Sequence, residues 1–187
     1  MSVGAVRVKG SLILGRLGYI QSNFMDRYAE YLAASQPDTR QAIEAGILPS
    51  SWYPFAIFLD VSGTAERLFG TGDYAVVRRM AAHSARVNMP TVYKIFLRLG
   101  SPEFLLKRTA QIWQVQYDSG VATSIATAGG GSVEVRDFGQ PDPLHCHGIT
   151  GFMEECLRLT RARAVSVAHV KCRCQGGDVC RWDATWR

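Results

Sequence analysis

Long apolar runs are missing from this chain of 187 residues. No stretch approaches the roughly 20 consecutive apolar residues that a membrane-spanning helix needs. The apolar start Ser11–Leu14 is interrupted by Arg16, which makes it too short for the core of a signal peptide. We therefore expect no membrane partner and a cytoplasmic location.

Strong charge is also missing, because 21 basic and 16 acidic residues give a formal net charge of only +5. A charge of this size suits solubility and attracts anions weakly, so direct nucleic-acid binding is not expected. The proportions of 47% hydrophobic and 20% charged residues exclude disordered, collagen-like and coiled-coil classes. With the length, they predict a single domain, 1–187.

The periodicity of apolar residues divides this domain into a mainly helical part, 1–120, and a β-rich part, 121–187. A short alternating run at 6–9 predicts an edge strand, and helical spacing follows from Leu17 to Tyr31. Further helices are predicted from Pro37 to just before Gly46, from Pro54 to Phe69, from Asp73 to Pro90, from Thr91 to Leu99 and from Ser101 to Tyr117.

The β-rich part has the pattern of two hairpins around one helix. Val121–Ala128 and Ser132–Phe138 are joined by three glycines, and Asp142-Pro143 is typical of a helix start. Arg163–Arg173 and Asp178–Trp186 form a second predicted hairpin. We expect an α+β fold with N-terminal helices packed on a twisted antiparallel sheet and a C-terminal ββαββ unit.

Cysteine is scarce, and all five cysteines lie in the last quarter of the chain with three of the four histidines. An odd, small number favours free thiols or metal ligands over a disulfide framework. A three-residue hairpin loop at 175–177 would place Cys172 opposite Cys180. Cys146, at the start of the preceding helix, could reach the same point.

Three sulfurs and one imidazole would form a closed tetrahedral set suited to structural Zn²⁺. The predicted ligands are Cys146, His169, Cys172 and Cys180. His169 and Cys172 are three residues apart and would face opposite sides of a regular strand, so the set requires a bulge. Cys174 and His147 compete as ligands. The alternative is that all of these side chains are small buried hydrophobes and a hydrogen-bonded core histidine.

The C-terminal pattern resembles a known family. It consists of a cysteine at a helix start, two glycines after it, two cysteines eight apart and a closing aromatic strand, here Cys146, Gly148, Gly151, Cys172, Cys180 and 181–186. This pattern is similar to the 4-vinyl reductase domain, which also occurs in aromatic-responsive transcription activators. The phenol sensors among them carry a glutamate where this chain has His169, and aromatic residues where it has Thr150 and Val167.

That resemblance implies a non-catalytic sensing domain, a dimer, and zinc by substitution of the glutamate, but not phenol as the ligand. The upstream segments, among them Ser51-Trp52-Tyr53-Pro54 and Tyr117-Asp118-Ser119-Gly120, resemble an uncharacterised family abundant in myxobacteria.

No enzymatic motif is legible, since the Gly129-Gly130-Gly131 run lacks a following Lys-Ser/Thr and lies between predicted strands. A pocket for a small apolar or aromatic molecule is predicted instead, because aromatic residues crowd the helices that would face the sheet. Its candidate residues are Trp52, Phe55, His83, Tyr93, Phe96, Trp113 and Tyr117. His83 is a possible polar contact, and a haem site on it is an open alternative.

The rival interpretation is a dimeric interaction scaffold, related in fold to trafficking-complex subunits, in which the same aromatics fill a core or a protein surface. An enclosed apolar cavity would favour ligand binding, and a filled core would favour the scaffold.

Overall fold

The computed structural model describes residues 5–92 and 101–187, with the side chains of 89–92 left outside the description. Two predicted pocket residues, Tyr93 and Phe96, and most of the helix predicted at 91–99 lie outside the described residues.

The N-terminal part is helical, with a small two-stranded sheet against it. Strands β1 (Arg7–Lys9) and β2 (Trp52–Pro54) pair antiparallel. The helices are α1 (Gly10–Asn23), α2 (Tyr28–Ala34), α3 (Pro37–Ala45), α4 (Phe55–Phe69), α5 (Ala75–Val92), α6 (Pro102–Leu106) and α7 (Thr109–Gln116), with a 3₁₀ turn at Met25–Arg27. Strand β2 was not predicted, because its three residues follow a turn-rich joint.

Two predicted helices are each divided in the structure. The first breaks at Phe24, whose backbone φ of −143° is not helical. The helix expected from Ser101 to Tyr117 is two helices, α6 and α7. The end predicted at Pro90 is wrong, since α5 continues to Val92. A proline inside a helix removes one amide hydrogen bond and kinks the helix without always ending it.

The C-terminal part is the predicted ββαββ unit, and the α+β fold class is confirmed. Strands β3 (Val121–Thr127), β4 (Gly130–Arg136), β5 (Ser166–Lys171) and β6 (Cys180–Thr185) form an antiparallel sheet in the order β3-β4-β6-β5. Helix α8 (Pro143–Leu159) connects β4 to β5. The Asp142 carboxylate caps it by accepting a 2.8 Å hydrogen bond from the Leu144 amide.

The second hairpin contains the irregularity that the cysteine spacing required. The β5–β6 register shifts between His169 and Lys171, so that Lys171 pairs with Arg181. A 3₁₀ turn at Arg173–Gln175 and Gly176, at a φ of +85°, then reverse the chain. This bulge brings His169 and Cys172 to the same face of the hairpin.

Helix α5 packs between α1 and α8 at very short range. A side chain at Gly15 would collide with Ser84 on α5, and one at Gly151 would collide with the Arg78 backbone. Trp182 of β6 is buried and donates to the Thr150 hydroxyl of α8 at 3.1 Å. Within the described ranges, no helix has the length and apolar character needed to cross a bilayer.

Candidate functional site

A partly open cavity of about 100 Å³ lies between the helical layer and the sheet, lined by residues of α1, α5, α6, α7, α8 and β4. We call it the central cavity. Most of its wall is apolar and includes Leu12, Leu105, Ile112, Val133, Ile149 and Phe152. Arg16, Tyr117 and His145 also line it. An apolar pocket with a few convergent polar groups is the usual form of a small-molecule site.

His145, in the first turn of α8, is buried inside a cage of aromatic rings. The rings of Phe55, Phe58, Trp113, Tyr117 and Phe138 have centroids 5.0–6.1 Å from its own. Its Nε2 and the Tyr117 hydroxyl are 3.0 Å apart and hydrogen-bonded. Burial, and then the charge of Arg16, lower the pKa of His145 to about 3, whereas burial raises the pKa of Tyr117. Both groups are therefore neutral at pH 7.

Arg16 is a buried cation on the cavity wall, with 4% of its surface exposed. It donates from Nη1 to the Val77 carbonyl at 2.8 Å, and its guanidinium carbon lies 5.2 Å from the centre of the Phe58 ring. Its Nε is buried without a hydrogen-bond partner. Burial lowers the pKa of Arg16 to about 10, so it stays charged at pH 7.

The four predicted metal ligands lie together on the other side of the first turn of α8. The donor atoms of Cys146, His169, Cys172 and Cys180 are all within 4.8 Å of one another. We call them the cysteine–histidine cluster. Cys146 and Cys180 are buried, with their sulfurs 4.0 Å apart, and Cys172 is partly buried. Of the two competing ligands, Cys174 is exposed and His147 stacks on Tyr74 and contacts Arg78.

Two features of the cluster suit an electron-pair acceptor. The hydrogen bond from Cys146, the neighbouring His169 and the Arg173 amide lower the pKa of the Cys180 thiol to about 4, while the pKa of Cys146 rises because it keeps the shared proton. His169 stacks on Trp182 with its Nε2 buried and unpartnered. Metal ligation by the four side chains stays a prediction.

The predicted pocket residues divide into two groups. Trp113 and Tyr117 line the central cavity, and Phe55 belongs to the cage around His145. Trp52 and His83 lie elsewhere: the Lys9 ammonium is 4.0 Å from the Trp52 ring centre, and His83 packs edge-on against Tyr19.

Arg16 and His145 were not predicted as site residues, although the sequence contains a signal for both. Arg16 lies four residues from Leu12 and from Ile20, so it interrupts an apolar helical stripe with a charge. His145 lies four residues before Ile149 on the inward stripe of α8. A charged or polar residue inside such a stripe indicates either a buried partner or a ligand.

No known protein family and no curated protein matches the chain in sequence. The fold, however, is that of H-NOX domains, as comparison with solved structures shows. An H-NOX protein from S. oneidensis in the Fe(II)NO state superposes with a TM-score of 0.74 at 10% identity, covering 96% of this chain and 99% of that one. The unliganded Fe(II) H-NOX protein from K. algicida has a TM-score of 0.67 at 14% identity, covering 96% of each chain.

Two predictions are corrected by this comparison. The 4-vinyl reductase resemblance is wrong, because the likeness to H-NOX domains extends over almost the whole chain and they have a different fold. The misleading signal was the spacing of three cysteines and a few glycines, which reflects local geometry and does not determine the topology of the fold. Structural Zn²⁺ as the cofactor is wrong as well, since the neighbours with this fold are described with Fe(II) or haem.

Haem itself does not fit the central cavity. Cofactor pockets measure about 300–1,000 Å³, against about 100 Å³ here. His145 is the only histidine among the described lining residues, and its Nε2 is hydrogen-bonded to Tyr117. Haem also carries two carboxylates, whereas Arg16 is the only charged side chain among those lining residues.

Proposed function

We propose that this chain is a non-catalytic sensing domain that binds a small apolar molecule in the central cavity. The observation that carries the proposal is the cavity itself, because its wall is mainly apolar, it lies between the two layers of the fold, and Arg16, Tyr117 and His145 are among its lining residues. An apolar cavity of about 150 Å³ is large enough for benzene, so this one suits a ligand of similar or smaller cross-section.

The fold likeness supports a sensing role. H-NOX proteins with this fold are described in NO-bound and CO-bound states, so small molecules bind to those domains. For this chain we propose that an organic molecule occupies the cavity, instead of a haem group that carries a bound gas, because the cavity is too small for a porphyrin.

The scaffold alternative is less well supported, because it requires a filled core where the structure has a cavity. The homodimer stays a prediction of its own. Tyr19, Ile20 and Tyr31 are buried within this chain, so these apolar side chains are not available for a dimer interface. Light scattering at about 10 μM tests it, since dimers with an association free energy near −8 kcal/mol would be populated at that concentration.

Binding of neutral amides tests the proposed function. Butyramide, hexanamide and benzamide are titrated into the protein, with binding followed by NMR chemical shifts of the cavity residues. Ile149→Phe fills the cavity and should weaken binding, whereas Ile125→Phe makes the same change on an exposed strand position and should not. No binding by any compound would overturn the proposal.

A haem titration is the second arm of the experiment. We expect added haem to give no sharp Soret band and no stoichiometric complex. A stoichiometric haem complex that is lost in Ile149→Phe and in a His145→Gln variant would replace the proposed ligand with haem.

A further inference from the structure

Arg16 lacks the anionic partner that a buried cation ordinarily has. Among the described residues, no carboxylate lies within ion-pair distance of its guanidinium. The segments 1–4 and 89–100, where side chains are not described, contain no aspartate or glutamate. The chain itself therefore supplies no counter-ion from those segments either.

Burying an unpaired charge is costly, and the contacts of Arg16 offset only part of that cost. Nη1 donates a hydrogen bond to the Val77 carbonyl, and the face of the guanidinium packs on the Phe58 ring. Nε has no hydrogen-bond partner. Helix α8 leaves space for the guanidinium because residue 148 is glycine: a Cβ there would lie only 2.8 Å from Nη2 of Arg16. The fold thus holds a charged, incompletely bonded guanidinium at the wall of an apolar cavity.

The rest of the cavity wall limits the anion to a single charge. Tyr117 and His145 are neutral at pH 7 and hydrogen-bonded to each other, and the other described lining side chains carry no charge. One guanidinium balances one carboxylate and can bind it through two parallel hydrogen bonds. A phosphate monoester would bring a second negative charge into a wall with no second cation.

We infer that the central cavity binds an apolar monocarboxylic acid, with its carboxylate on Arg16 and its hydrocarbon part among the side chains of α6, α7 and α8. This inference rests on the proposed function and specifies its ligand class. The volume of about 100 Å³ selects short or flat acids, such as a C4–C6 aliphatic acid or benzoate.

Each acid is compared with its own amide, which has nearly the same shape and no charge. Butyrate, hexanoate and benzoate are titrated beside butyramide, hexanamide and benzamide at pH 7. Because hydrogen bonds to charged groups are worth about 1.5–3 kcal/mol, each acid should bind about tenfold to hundredfold more tightly than its amide.

The Arg16→Gln variant tests whether Arg16 binds the carboxylate. This variant keeps a hydrogen-bond donor but removes the charge, so acid and amide should bind equally. Arg79→Gln removes the same charge from an exposed position on α5 and should leave the acid preference unchanged.

The outcomes separate the two claims. Equal binding of acids and amides by the unaltered protein overturns the inference and leaves the proposed function standing. An acid preference that survives in Arg16→Gln also overturns it, whereas failure of every compound to bind overturns the proposed function. If Arg16→Gln does not fold, Ile149→Phe decides, because an acid held in the cavity must bind that variant more weakly.

Discussion

The guanidinium of Arg16 occupies the space that a side chain at position 148 would fill, with Nη2 2.8 Å from the Cβ position of Gly148. The guanidinium of Arg16 can therefore occupy this buried position only because residue 148 is glycine. We expect Gly148→Ala to push the guanidinium away from the Val77 carbonyl and to cost about 1–3 kcal/mol of unfolding free energy. Urea denaturation measures the loss, and the acid preference should fall with it.

Gly63→Ala is the matched control, in the interior of α4. Its nearest neighbour would be the flexible end of Leu144 at 3.2 Å. Alanine there should be neutral, or stabilising by up to about 1 kcal/mol through helix propensity. Equal losses in both variants would contradict the assigned role of Gly148.

The crossing of α5 and α8 gives a second prediction. A Cβ at Gly151 would collide with the backbone of Arg78, which cannot rotate away as a side chain can. Gly151→Ala should therefore separate the two helices and destabilise the protein by more than Gly148→Ala does. Thermal unfolding of both variants checks the order, and the reverse order would show that the helices adjust more easily than the Arg16 pocket.

The Tyr117 hydroxyl gives a third prediction. Tyr117→Phe leaves the buried Nε2 of His145 without a partner, at a cost of about 1–3 kcal/mol. The Tyr53 hydroxyl also accepts a hydrogen bond, from the Leu48 amide at 2.9 Å. Tyr53 is only partly buried, so water can replace its hydroxyl as the partner of that amide. Chemical denaturation should therefore show a smaller loss for Tyr53→Phe.

The cysteine–histidine cluster gives a fourth prediction. The donor atoms of the four side chains lie within 4.8 Å of one another, so we expect an added thiophilic ion such as Cd²⁺ to bind at about one ion per chain under reducing conditions. Elemental analysis checks this. Cys172→Ala should lose the metal and melt well below the parent, because ligation energy becomes folding energy.

Cys174→Ala provides the control, since Cys174 is exposed and two residues away. It should keep the metal and the melting temperature. Metal-free parent protein, or equal losses in the two variants, would show that packing alone holds the cluster together.

The sequence predicted the secondary structure best where local chemistry decides it. The Asp142-Pro143 start of α8 and the Gly46 end of α3 follow from capping and backbone preferences of a few residues. The bulge between His169 and Lys171 also followed from spacing, because the cysteines and histidine could share a face only if the strand was irregular.

The cavity could not be predicted in the same way, because it depends on how distant helices meet. Trp113 and Trp52 look alike in sequence as aromatic residues beside helices, yet only the first reaches the cavity. The burial of Arg16 depends on Gly148, 132 residues away in the chain, and no local pattern contains that relationship.

His145 and Cys146 are consecutive residues in one helical turn, one facing the central cavity and the other the cysteine–histidine cluster. A rigid turn cannot move one of them without moving the other, so the two regions share a single mechanical element. Linkage then sets a symmetric rule: any change in ligand affinity caused by the state of the thiols must be matched by an equal effect of the ligand on the thiols. In this sense, a change in the sulfurs and a change in the cavity both act on the same helical turn.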